Sequence, residues 1–174
     1  PILLALVLLG PFGEVHAQQA WYPYPVEVWD PPFNMDGQRR QVDYAPLEQA
    51  AKKWNIHVFF PHMKDSYWLA ANFGVVSEAR RLGISLTLHQ AGGYDKLDIQ
   101  KSQLEKALAA EVDAVIIGAI SDNGLDSLIT AFRARDIPVI DLINGISSSQ
   151  LSAKSLVSFA EMGAQAGNYL ARRH

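Results

Sequence analysis

From Ile56 onward the chain alternates short strand-like runs with segments of helical period, and that alternation is compatible with few folds. Ile56–Phe60 reads as a strand, and Leu69–Leu82 carries a helical pattern stopped by Gly83. Ile84–Leu88 alternates as a second strand and ends before Gly92-Gly93. Asp95 is placed to cap a helix running to about Glu111, with Leu97, Leu104 and Leu108 on one face. A buried strand over Asp113–Ile117 ends at Gly118; a third helix follows over Leu125–Arg135 and a fourth strand over Ile137–Leu142. Short connections between alternating strands and helices demand right-handed crossovers and a parallel sheet covered on both faces. The predicted class is α/β with a Rossmann-like parallel sheet. About 90 residues, Ile56 to Gly145, suffice for one such core.

The flanks differ in character. Residues 1–17 read as a secretory leader without its basic start: the apolar run Ile2–Leu9 is too short to span a bilayer, and Val15-His16-Ala17 resembles a cleavage site. Pro1 is not a natural first residue, and the helical pattern near His174 lacks a closing glycine, so the chain is expected to be cut at both ends. Residues 18–55 form an extension rich in Trp, Tyr and Pro (Trp21-Tyr22-Pro23-Tyr24-Pro25, Trp29, Pro31-Pro32), expected to lie extended, with a short helix or hairpin arm over Ala45–Trp54. It is either a docking arm or a packing extension. After the polar segment Asn144–Ser149, an apolar run containing Val157 and Phe159 precedes a terminal helix, so residues 146–174 read as a crossover and the opening of a second domain.

Composition excludes several kinds of chemistry. With no cysteine in 174 residues there is no disulfide framework, thiolate metal site or thiol nucleophile. The net charge of -3 and scattered basic pairs argue against a nucleic-acid partner. Nucleophile-elbow, phosphate-loop, zinc-protease and dinucleotide signatures are absent, so neither a catalytic role nor a cofactor nor a metal is expected. His57, His62 and His89 are separated by strand and loop and read as structural, with His62 alone near the cleft.

Recognition potential concentrates at the carboxyl ends of the strands, where open α/β sheets bind ligands. Lys64-Asp65-Ser66-Tyr67-Trp68 follows the first strand, Gly92-Gly93-Tyr94 the second, Gly118–Asn123 the third and Asn144-Gly145 the fourth. Asp65 and Ser66 suit a helix cap, a role compatible with binding. Tyr67, Trp68 and Tyr94 are assigned to a binding cleft, on the ground that Leu69, Phe73 and Val76 satisfy the core. Aromatic faces attract methylated ammonium groups and also stack on sugars.

Several motifs carry a family resemblance: Pro61–Trp68, Asn72-Phe73-Gly74 with Glu78–Arg81, Gln90–Tyr94, and Met162-Gly163 with Gly167–Leu170. From about Ala45 onward the chain resembles the type I periplasmic binding proteins and, within them, the TorT-like sensors of trimethylamine N-oxide. The resemblance implies a bilobed, hinged periplasmic protein that closes on a small ligand and regulates a membrane sensor histidine kinase through that kinase's periplasmic domain. Residues 56–145 would then be the first lobe and residues 146–174 the crossover and start of the second. It also implies ligand contacts from Asp65, Ser66, Tyr67, Trp68 and Tyr94, with Phe159 standing where the family places a bulkier tryptophan. The alternative is a solute-binding protein serving an ABC importer, for a sugar or related solute.

Overall fold

A computed structural model describes residues 23–30, 33–34 and 36–173. The leader, Trp21-Tyr22 and Pro31-Pro32 lie outside the described residues. The chain divides into two compact units, one up to Leu47 and one from Glu48.

The first unit is an antiparallel ribbon of β1 (Tyr24–Asp30) and β2 (Gln38–Tyr44), with Tyr24 opposite Tyr44 and Val26 opposite Val42. The Tyr24 and Tyr44 rings meet at 5.5 Å, and the Arg39 guanidinium lies 5.6 Å from the Trp29 ring centre. Pro25 is tolerated because each strand of a ribbon keeps one unpaired edge. The hairpin therefore lies earlier than the sequence pattern placed it, and Ala45–Trp54 forms neither helix nor strand.

The second unit holds β3 (Asn55–Phe60), α1 (Ser66–Leu82), β4 (Ser85–Gln90), α2 (Leu97–Leu108), β5 (Ala114–Ile117), α3 (Asp126–Arg133), β6 (Val139–Ile143), β7 (Ala153–Leu156) and α4 (Phe159–Ala171). Its five strands are parallel in the order β4-β3-β5-β6-β7. Four of these strands follow from hydrophobic pattern. β7 does not, since Ala-Lys-Ser-Leu at a sheet edge has no apolar alternation to reveal it.

Side-chain alternation along each strand divides the core into two layers. Phe59, Val115, Ile117 and Val139 pack with Leu104 of α2 and with Ile129 and Phe132 of α3. On the other face Val58 and Phe60 pack with Trp68 of α1, with Ile56, Leu86, Ile116 and Leu142 alongside. α1 is closed at both ends: Asp65 accepts from Trp68 N at 2.9 Å, and Gly83, at φ 67, returns its own amide and that of Ile84 to Arg80 O and Ala79 O. Asp95 does not cap α2. Lys96 holds the cap position without a side-chain bond, and Asp95 pairs with the Lys96 ammonium at 2.9 Å.

His57 and His89 are not separate. They stand on neighbouring strands with His89 Nε2 3.1 Å from His57 Nδ1, and the His89 ring stacks on Phe59 at 4.5 Å. Burial lowers both imidazoles below their ordinary value of 6.5, and His57 lowers His89 further. A histidine with a depressed folded pKa binds its proton more readily when unfolded, so stability is full above 6.5 and declines as the pH drops below it. The urea midpoint of the full-length protein is therefore expected to fall between about pH 7.5 and about pH 5.5. His89→Phe, which keeps the stack on Phe59, should flatten that fall; an unchanged slope would remove the pair as its cause.

Candidate functional site

In the order β4-β3-β5-β6-β7 the chain adds strands on opposite sides of β3, so the winding reverses between β3 and β5, and the crevice of a doubly wound sheet opens at that point, outside the carboxyl ends. The loops after β3, β4, β5 and β6 meet there. Ala91 N donates to Phe60 O, while Gly92 N and Gly93 N both donate to Pro61 O at 2.9 Å, which binds the exit of β4 to the exit of β3. Gly92 adopts φ 101 to make the turn, a conformation glycine reaches without strain. Tyr94 is thereby set edge-on to the buried His62 ring, 5.2 Å away at 80°.

Trp68 Nε1 donates to Tyr94 Oη at 3.2 Å, and Asn144 Nδ2, from the end of β6, donates to the same oxygen at 3.3 Å. Asn144 Nδ2 also donates to Ala119 O at 2.7 Å. Four strand ends are thus joined through Trp68, Tyr94, Ala119 and Asn144. Ile143 holds Asn144 in place at a cost: its φ is 76, outside the ordinary range of a β-branched residue, and Asn144 N closes a tight turn onto Leu142 O at 2.9 Å.

Beneath this cluster lies Gln100, fully buried on α2. Its Nε2 donates to Gly118 O and its Oε1 accepts from Ile120 N, both at 3.0 Å, so one side chain satisfies two backbone groups of the β5 exit loop. Gly118 has no room for a side chain, since a Cβ there would lie 2.7 Å from Trp68 Cη2.

The predicted residues take different places. Tyr67 and Tyr94 are 42% and 51% exposed and present ring surface to solvent. Burial pushes the Tyr67 phenol up from its ordinary pKa, and Tyr94 beside it adds to the rise. Trp68 is only 2% exposed and meets Tyr67 edge-on at 5.7 Å. The ground on which it was assigned to the cleft is wrong, because Leu69 and Phe73 are 50% and 63% exposed and Trp68 itself fills the α1 face of the core. Asp65 caps α1, 3.8 Å from His62 Nε2, and Ser66 is its exposed first residue. Phe159, half-exposed, opens α4 behind the Ser158 cap and joins no ring contact of the cluster among the described residues. Sequence reasoning missed Gln100, a polar residue on an otherwise apolar helix face, and named Asn144 only as part of a loop.

The profile of a family described as "Periplasmic binding protein domain" matches residues 56–174. The chain belongs to the periplasmic binding protein family. Members of that family are binding proteins rather than enzymes, and the assignment places the chain in the periplasm. This periplasmic binding protein is 32% identical over 135 residues to Periplasmic protein TorT of Escherichia coli strain K12, a match covering 78% of this chain and 39% of that protein. The chain thus spans about two fifths of the length of the curated relatives it matches. Among solved structures, an ABC transporter solute binding protein from Bradyrhizobium sp. BTAi1 with bound bis-tris superimposes with a TM-score of 0.85 at 52% identity, over 91% of this chain and 47% of that one. TorT in complex with the TorS sensor domain, solved without ligand and with TMAO, aligns at 34% identity and a TM-score of 0.63, over 70% of this chain and 42% of that one.

Proposed function

We propose that the full-length protein is a periplasmic sensor that binds trimethylamine N-oxide and, through its ligand-dependent shape, regulates the periplasmic domain of a membrane sensor histidine kinase. The observation that carries this reading is the cluster at the strand ends: two partly exposed phenol rings, Tyr67 and Tyr94, above a buried indole, with no paired carboxylates among them. Such faces attract a methylated cationic nitrogen by roughly 0.5–2 kcal/mol each. The likeness to TorT, whose complex with a sensor domain was solved with TMAO, supports the same ligand and the same kind of partner.

In this reading residues 1–17 are the export leader and residues 18–55 an extension. The first lobe spans residues 56–145, and residues 146–174 are the crossover, which adds β7 beside β6, and the start of the second lobe. Tyr67 and Tyr94 touch the ligand, Trp68 backs them, Asp65 and Ser66 line the loop at the head of α1, and Phe159 approaches from the second lobe. Closure transmits a signal only when ligand contacts both lobes.

A second reading, solute capture for an ABC importer, is supported by the 52% identical solute binding protein that holds bis-tris. Isothermal titration of the full-length protein with trimethylamine N-oxide, betaine, ribose and glucose separates the two. Saturable binding of the N-oxide alone is expected. Binding of a sugar without the N-oxide would reject the sensor reading in favour of transport.

A further inference from the structure

Tyr94 Oη lies between two groups that have hydrogens to give and no lone pair to offer in return. Trp68 Nε1 carries one hydrogen and can only donate it. The orientation of the Asn144 amide is settled by its second contact, because the atom 2.7 Å from Ala119 O must be the nitrogen; an amide oxygen there would face a carbonyl oxygen. The same nitrogen supplies Tyr94 with its second hydrogen. A phenol oxygen has two lone pairs, and here both are filled. The phenolic hydrogen is left pointing away from both donors, and no hydrogen bond given by Tyr94 is found among the described residues.

We propose that Tyr94 is wired as an obligate hydrogen-bond donor to the ligand, so the bound molecule must present an oxygen acceptor beside its methylated or cationic part. This deepens the binding reading above and rests on it. The ligand class is a methylated zwitterion, such as an amine oxide, and not a plain quaternary ammonium ion. Trp68 offers the ligand no hydrogen, its only one being held by Tyr94. The strained Ile143 turn and the buried His62 edge are the devices that keep Asn144 and the Tyr94 ring in the required positions.

The test compares trimethylamine N-oxide with tetramethylammonium, in which a methyl group replaces the oxygen, on the full-length wild-type protein and on Tyr94→Phe. The wild type should prefer the N-oxide by about tenfold or more, the worth of one hydrogen bond to a charged acceptor, and Tyr94→Phe should bring the two ligands to within about threefold. Equal binding of both by the wild type, or an undiminished preference in Tyr94→Phe, would overturn the proposal. Should neither ligand bind the wild type, the N-oxide reading fails on its own. The wiring is then read without ligand, from the tyrosine doublet in ultraviolet resonance Raman spectra, taken as wild type minus Tyr94→Phe. A doublet of the acceptor type supports the proposal and one of the donor type contradicts it.

Discussion

Trp68→Ala is expected to lower the stability of the full-length protein by about 3–5 kcal/mol, the usual cost of emptying a large aromatic site in a packed core. The indole is 2% exposed, touches Phe60 ring to ring at 5.4 Å and covers the bare Cα of Gly118. Few groups can move in to fill its place, because Val58 and Phe60 are held by the sheet. Trp68→Phe keeps most of the packing and removes only the Nε1–H given to Tyr94, so it should retain most of the stability while weakening ligand binding. Urea unfolding of the two variants decides the matter. A Trp68→Ala protein as stable as the wild type would remove Trp68 from the core and return it to the cleft wall.

The second large effect is expected at Gln100→Leu. Leucine fills a similar volume, so the loss is chiefly polar: the buried Gly118 O is left without a partner, at about 1–3 kcal/mol, and the part-buried Ile120 N loses its acceptor at a smaller cost. The same change frees the loop that carries Ala119 O, the anchor of Asn144. Ligand affinity should therefore fall along with the urea midpoint. Gln100→Glu sets a carboxylate oxygen against Gly118 O and buries its charge, so its midpoint at neutral pH should fall at least as far as that of Gln100→Leu. A Gln100→Leu midpoint equal to that of the wild type would show that the loop satisfies itself by other means.

The α/β alternation was legible because strand and helix periods differ sharply and because Gly83 and Asp65 mark the ends of α1 in the residues themselves. Convergence of the loops at the strand ends followed from the fold class alone. The side of α1 that faces the sheet was not legible. Trp68, Ala71, Val75 and Ala79 make one stripe at helical spacing, while Leu69, Phe73 and Val76 make another, and only packing chooses the first. The pairing of His57 with His89 depends on which strands are neighbours and in what register, which no local pattern encodes. The ribbon of β1 and β2 was hidden by Pro25 and by aromatics that fit an extended chain equally well. Gln100 was passed over because a single polar residue on an apolar helix face shows its purpose only beside the loop it bonds.

The central claim is that the cluster of Tyr67, Trp68, Tyr94 and Asn144 is the ligand site. It is tested most directly by a crystal structure of the full-length protein grown with trimethylamine N-oxide. The account predicts the ligand at the carboxyl ends of β3 and β4, its methyl groups against the Tyr67 and Tyr94 rings and its oxygen within hydrogen-bond distance of Tyr94 Oη. A ligand bound elsewhere, or one whose oxygen turns away from Tyr94, would contradict it.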